Sequence, residues 1–215
     1  VDKDWSYLSR IHNSNQITLN NVTFTSWGSD AKYTGAGLWV RDSSNIVVQN
    51  SDFSKFAVGM NAQSVSNIQV LNNKFHDLRI DGSEFTDIHN SKIDGNYYYD
   101  FNQADYTYHP DAIQIWTAGT NKGSTDVLIQ NNVVMQGTGY GSQGIFVQDE
   151  VGGIPHERVT IRNNLVYNNS KLANGIMVNG GKDIVIEGNT VLSPTSDNAN
   201  TWLRVQNVSG ARVSN

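Results

Sequence analysis

Leu128-Ile-Gln-Asn-Asn-Val-Val134 and Thr160-Ile-Arg-Asn-Asn-Leu-Val166 are two copies of one pattern. An apolar residue is followed by a variable one, then Asn or Gly, then usually Asn, then an aromatic or β-branched residue. The same pattern recurs in Ile17-Thr-Leu-Asn-Asn-Val-Thr-Phe24, Ile46-Val-Val-Gln-Asn-Ser-Asp-Phe53, Ile68-Gln-Val-Leu-Asn-Asn-Lys-Phe75, Lys92-Ile-Asp-Gly-Asn-Tyr-Tyr98 and Val185-Ile-Glu-Gly-Asn-Thr-Val191, with a partial copy in Arg212-Val-Ser-Asn215. Its leading apolar residues, Leu19, Val48, Val70, Ile93, Ile129, Ile161, Ile186 and Val213, lie 29, 22, 23, 36, 32, 25 and 27 residues apart. Repeats of this length belong to solenoids and arrays.

Each unit reads as short alternating strands separated by Asn/Gly corners, with no sustained helical period. The 215 residues include 27 asparagines and 19 glycines, the two residues that best tolerate left-handed corners, against 3 prolines. Twenty-two residues accommodate three short strands and three corners, the rung of a right-handed parallel β-helix. Seven spacings at ~4.8 Å give a rod roughly 34 Å long. The expected fold is therefore all-β, a right-handed parallel β-helix of about seven to eight rungs in one domain spanning 1–215. Asn73, Asn96, Asn132, Asn164 and Asn189 occupy one corner and should form an internal amide ladder. The sequons at Asn21, Asn168 and Asn207 are then by-products of the repeat.

Composition narrows the function. Without cysteine there is no disulfide framework, no thiolate metal site and no cysteine nucleophile. A net charge of −5 argues against non-specific nucleic-acid binding, and no apolar run reaches the ~20 residues of a membrane span. The start, Val1-Asp2-Lys3-Asp4, is no signal peptide. It and the stop at Asn215 suggest a piece of a longer protein, or end-to-end association through uncapped rungs.

A second strand precedes each Asn corner: Leu38-Trp-Val-Arg41, Val58-Gly-Met-Asn61, Ile113-Gln-Ile-Trp116, Ile145-Phe-Val-Gln148, Ile176-Met-Val-Asn179 and Leu203-Arg-Val-Gln206. The third copy, placed at Ile80-Asp-Gly-Ser83 by a spacing of 22 from Val58, faces Asp81 and Ser83 outward; a rival register through Leu78 and Ile80 turns Arg79 outward instead. Period-two alternation then lines one outer face with Trp39, Arg41, Asn61, Asp81, Gln114, Trp116, Phe146, Gln148, Met177, Asn179 and Arg204. Aromatic platforms beside amides and arginines suit a polysaccharide.

The whole repeat resembles the right-handed β-helix superfamily: pectate lyases, polygalacturonases, alginate lyases, mannuronan epimerases and phage tailspikes. That resemblance implies an extracellular or cell-surface protein acting on a glycan, with a uronate-containing polymer and lyase or C5-epimerase chemistry as the leading expectation. A carbohydrate-binding or structural rod is the alternative. The longest excursion, Tyr97 to Trp116, carries Tyr108-His109-Pro110-Asp111. Mannuronan epimerases have Asp-Pro-His beside an aromatic on this face, here in reversed order. Polygalacturonases have Asn-Thr-Asp-Gly in a similar place, but their Asp-Asp pair, Gly-His-Gly and Arg-Ile-Lys motifs are absent.

Proton abstraction from a uronate needs a base, an acid and a group that neutralises the carboxylate. His109 or a deprotonated tyrosine is available as base, Tyr108 or Tyr106 as acid, and Arg79 or Arg41 to neutralise, with calcium held by Asp81, Asp105 or Asp111 as another option. Hydrolysis instead needs two carboxyls, available from Asp81, Asp111 and Asp149. The expected catalytic set is Tyr108, His109 and Asp111.

Overall fold

The computed structural model describes residues 6–27, 33–102, 109–167, 174–193 and 202–215. Among these, twenty strands run from Tyr7 to Ser214, and no helix is long and apolar enough to cross a membrane. The strands form a thirteen-stranded and a seven-stranded sheet whose ladders are all parallel. The architecture is a right-handed parallel β-helix, as the repeat predicts. The leading apolar residues pair in unbroken series, Leu19↔Val48↔Val70↔Ile93↔Ile129↔Ile161↔Ile186↔Val213.

The corners account for the asparagine. Among the described residues, twenty-one non-glycine residues have positive φ, and eleven of these are Asn. In the Asn-Asn pairs 72–73, 131–132 and 163–164 the two residues do different work. The first (Asn72, Asn131, Asn163, all near φ 55) turns the chain, as only Gly, Asn and Asp do cheaply. The second points inward and joins the ladder. Asn96 donates its backbone N–H and its amide to Oδ1 of Asn132, at 2.9 and 3.0 Å, and its amide also to the Val70 carbonyl at 2.9 Å. Asn132 does the same to Asn164 and Ile93, and Asn164 to Asn189 and Ile129. Ser51 heads the series, donating its N–H to Asn73.

Inside, Phe24, Phe53, Phe75 and Tyr98 stack with ring centroids 4.5–4.8 Å apart and nearly parallel planes. This spacing is that of neighbouring strands, so the rings ride on the rungs. One continuous apolar core runs from Phe24 to Ile186.

Three fourteen-residue strands, Ala36–Gln49, Val58–Leu71 and Asp81–Asp94, each cross two faces, bending at left-handed residues such as Asp87 and Asn90. Their register departs from the expected one. Val58 pairs with Asp81, not Ile80, and Asn61 with Glu84. Ser83 therefore faces inward, fully buried, with its hydroxyl 2.9 Å from the Tyr98 hydroxyl, and Glu84 takes the outward position. The register is set by a column of small residues, Gly37, Gly59, Gly82, Ala112, Gly144 and Gly175, one at the start of each strand. A Cβ on Gly82 would lie 2.4 Å from the Ala112 carbonyl and 2.6 Å from the Tyr98 ring.

Replacing Asn132 with Ala orphans two buried donors on Asn96 and removes a partner of the Ile93 carbonyl. The expected loss is about 3–5 kcal/mol, against a smaller loss for Asn189→Ala at the end of the described ladder. Denaturant melts of the two variants check this.

Candidate active site

The residue just before each small residue forms a column of its own. It reads Ala36, Val58, Asp81, Asp111, Gln143, Asn174, with Trp202 paired to Asn174, and changes from apolar to acidic to amide along the rod. Its acidic members sit in a groove of about 590 Å³ lined by Tyr7, Asn61, Ile80, Asp81, Glu84, His109, Asp111, Gln114, Trp116 and Glu150.

Three carboxyl groups share the floor. Asp81 accepts the Asp111 backbone N–H at 2.6 Å and hydrogen-bonds Glu84 through its side chain. Glu84 also accepts from the Asn61 amide at 2.6 Å. Asp111 is fully buried, with no hydrogen-bond partner on either carboxyl oxygen; its nearest opposite charge is His109 Nδ1, 3.6 Å from Oδ2. The Trp116 indole N–H is likewise buried without a partner. Buried polar groups are nearly always satisfied within the protein, so orphaned groups in one open groove mark where a ligand's polar atoms would sit.

Burial is the largest cause raising the pKa values of the groove's carboxyls. It lifts Asp81 well above the usual carboxyl range, with the Asp111 and Glu84 charges adding to it. Glu84 is raised by burial and partly restored by hydrogen bonds from Asp81 and Asn61. Asp81 and Glu84 are hydrogen-bonded to each other and both raised by burial, so the pair holds a proton more tightly than either carboxyl would in water. Asp111 is raised by burial against the opposing pull of His109, and Glu150 by burial against the same imidazole. His109 is raised chiefly through Asp111, against its own burial.

The other expected site residues fall in three groups. Gln114 and Trp116 line the groove with His109, Asp81 and Asp111. Phe146 and Met177 point to the same side but are 6% and 4% exposed, so they are no open platforms; the His109 ring lies 6.0 Å from that of Phe146. Trp39 is also occupied, since Tyr7 stacks on it at 4.5 Å and the Arg10 and Arg41 guanidinia lie 4.5 and 5.5 Å from its ring centre. Arg41 ion-pairs with Asp42 at 3.1 Å, and Arg79 turns away to the Tyr33 carbonyl at 2.6 Å; neither lines the groove. Gln148 does not line the groove; its backbone carbonyl accepts from His156 Nε2 at 3.1 Å. Asn179 accepts from Asn207 at 2.8 Å and Arg204 bonds Gln206. Asp149 is consumed by its own loop: burial pushes it up, but N–H groups of Ile154 and Gly152 and the Thr117 hydroxyl hold it below the usual range.

Tyr108, Tyr106 and Asp105 lie outside the described residues. Among the described residues no three His, Asp or Glu side chains form a group that could hold a metal ion. Three polar groove members escaped the sequence reading, Tyr7, Glu84 and Glu150. Aligning Asp81-Gly82-Ser83 on Ala36-Gly37-Leu38 and Val58-Gly59-Met60 would have found Glu84.

The family described as "right handed beta helix region" matches residues 10–191, and the chain belongs to it. No curated protein matches. Among solved structures, the surface protein and adhesin PfbA of Streptococcus pneumoniae superposes with a TM-score of 0.56 at 16% identity, over 95% of this chain and 68% of that one. The full-length tailspike protein 2 of Escherichia coli O157:H7 bacteriophage CAB120 does so with 0.56 at 12% identity, over 98% of this chain and 35% of that one. The chain thus spans about a third of the tailspike. At these identities the likeness is one of fold.

The carboxyl cluster makes stability depend on pH. Asp81, Glu84 and Asp111 hold their protons more tightly folded than unfolded. Their stabilising contribution is fully present below about pH 4, the range of an unfolded carboxyl, and is lost as pH rises through the raised folded values. Asp111→Asn should therefore raise the melting temperature at pH 7 by about 2–6 °C and reduce the difference between pH 5 and pH 7. Thermal melts at the two pH values check both effects.

Proposed function

We propose that this member of the right-handed β-helix family binds an extracellular or surface polysaccharide across the groove and cleaves it by acid–base hydrolysis. One observation carries the reading: Asp111, whose buried carboxyl meets only the His109 imidazole at 3.6 Å, lies beside the hydrogen-bonded pair Asp81 and Glu84 on the floor of an open groove. Hydrolysis of a glycosidic bond asks for such carboxyls held at different protonation states. Asp111, raised by burial, donates its proton to the leaving oxygen as the bond breaks. Glu84, whose ionised form the Asn61 amide favours, takes a proton from the attacking water, whose oxygen bonds the anomeric carbon. Gln114, Asn61 and the Trp116 ring and N–H offer the amide and aromatic contacts that orient sugar rings.

The charge of the groove separates this reading from the lyase and epimerase one. Among the described residues that line it, only His109 can carry positive charge. A uronate placed over Asp81, Glu84, Asp111 and Glu150 would meet repulsion where it needs a cation. The geometry supports a neutral sugar at the reacting position.

The test is incubation with neutral and uronate-containing polysaccharides, followed by reducing ends and by absorbance near 235 nm. Reducing ends without a rise in absorbance are expected, with a bell-shaped pH profile. Asp111→Asn and Glu84→Gln should each lower the rate by about 10²–10⁴-fold. Trp116→Ala should weaken oligosaccharide binding by about 1–3 kcal/mol. A rise in absorbance would mean elimination and overturn hydrolysis; binding with no cleavage at any pH would leave a carbohydrate-binding rod.

A further inference from the structure

The column that supplies Asp81 and Asp111 continues as Gln143, Asn174 and Trp202, and these three are joined to His109 in one chain of hydrogen bonds. The indole N–H of Trp202 donates to Asn174 Oδ1 at 2.6 Å. The Asn174 amide nitrogen donates to Gln143 Oε1. The Gln143 amide nitrogen lies 2.8 Å from Nδ1 of His109.

An isolated amide can be turned over to suit its neighbours, but this chain begins with a group that cannot be reversed. An indole N–H only donates. It obliges Asn174 to present its oxygen to Trp202, hence its NH2 to Gln143. Gln143 must then present its oxygen to Asn174 and its NH2 to His109. The nitrogen that receives this NH2 must be a bare acceptor, so the imidazole proton belongs on Nε2.

We propose that Trp202, acting through Asn174 and Gln143, is a positioning element that fixes His109 as the tautomer protonated on Nε2, with Nδ1 held as an acceptor. The relay opposes Asp111, which lies 3.6 Å from the same Nδ1 and pulls a proton onto it. Among the described residues, the groups facing His109 are Asp111 at the start of the strand that follows it, Glu150 from the turn after Gln148, and the uncharged Gln143 and Phe146. Protonating Nδ1 sets N–H against NH2 unless Gln143 and Asn174 both turn over, which breaks the bond to Trp202. His109 is therefore held ready to donate from Nε2. Its use as a donor to a bound sugar rests on the hydrolytic reading, but the tautomer does not.

The test is NMR of ¹⁵N-labelled imidazoles in the full chain, titrated with pH. The His109 signals are identified among the five histidines by their loss in His109→Asn. In the wild type, Nδ1 should have the shift of an unprotonated acceptor and Nε2 that of an N–H. Trp202→Phe keeps an aromatic side chain and removes the N–H donor, at a residue 45% exposed. It should raise the His109 pKa by about half to one unit, the equivalent of one net hydrogen bond, and Gln143→Met should raise it as well because Asp111 then acts unopposed. A proton on Nδ1 in the wild type overturns the proposal. So does a Trp202→Phe titration that matches the wild type, even where Gln143→Met shifts, since the relay would then end at Gln143. No outcome depends on catalysis, so loss of the hydrolytic reading leaves the measurement intact.

Discussion

Everything in this molecule depends on satisfying backbone and amide groups along the axis of the rod. Each rung turns inward at an asparagine whose Oδ1 accepts two N–H groups from the rung before and whose NH2 reaches a carbonyl beyond it. Corners would otherwise bury unpaired polar groups, at a cost comparable to the net stability of a domain once repeated over several rungs. With the corners satisfied, Phe24, Phe53, Phe75 and Tyr98 stack at the strand spacing, and the outer face becomes a rigid grid on which side chains are placed by register alone.

The fold was legible because the same physical demand recurs at every rung. Left-handed corners call for Asn, inward positions call for Ile, Val or Leu, and a reader needs only to see the phrase return. The eight paired residues from Leu19 to Val213 show how far this goes. The candidate site was legible only in part. Asp111 and His109 stand out because an excursion frames them, but Glu84 was hidden by a one-residue slip: Ile80 offered a plausible apolar partner for Val58, and the deciding signal was a glycine, which carries no hydropathy. Alternation also tells direction and not exposure. Phe146 and Met177 face the side expected of them and are nonetheless covered, which follows from contacts between segments distant in sequence, such as the His109 ring beside Phe146. Trp39 is taken by Tyr7 and two arginines for the same reason.

The groove has the opposite character from the core. The core leaves no polar group unanswered along its ladder, whereas the groove buries Asp111 and the Trp116 N–H without partners and crowds like charges together. Such local conflict is tolerable only on a scaffold that over-determines the backbone around it. Here the small-residue column and the ladder on the opposite corner supply that rigidity.

The unequal spacing of the repeat has a consequence for how such a chain can change. Paired positions lie anywhere from 22 to 36 residues apart in the chain, yet they meet one strand spacing apart in the rod. Added residues leave between the fixed corners and return to them, so the register of later rungs never senses them. Closing a longer loop adds only a few tenths of a kcal/mol. Whole loops could therefore be lengthened, shortened or exchanged one rung at a time, each remodelling the groove over its own rung while the neighbouring rungs stay in place. The rod is in this sense a set of independent mounting points, and new specificity can be assembled on it without a new fold.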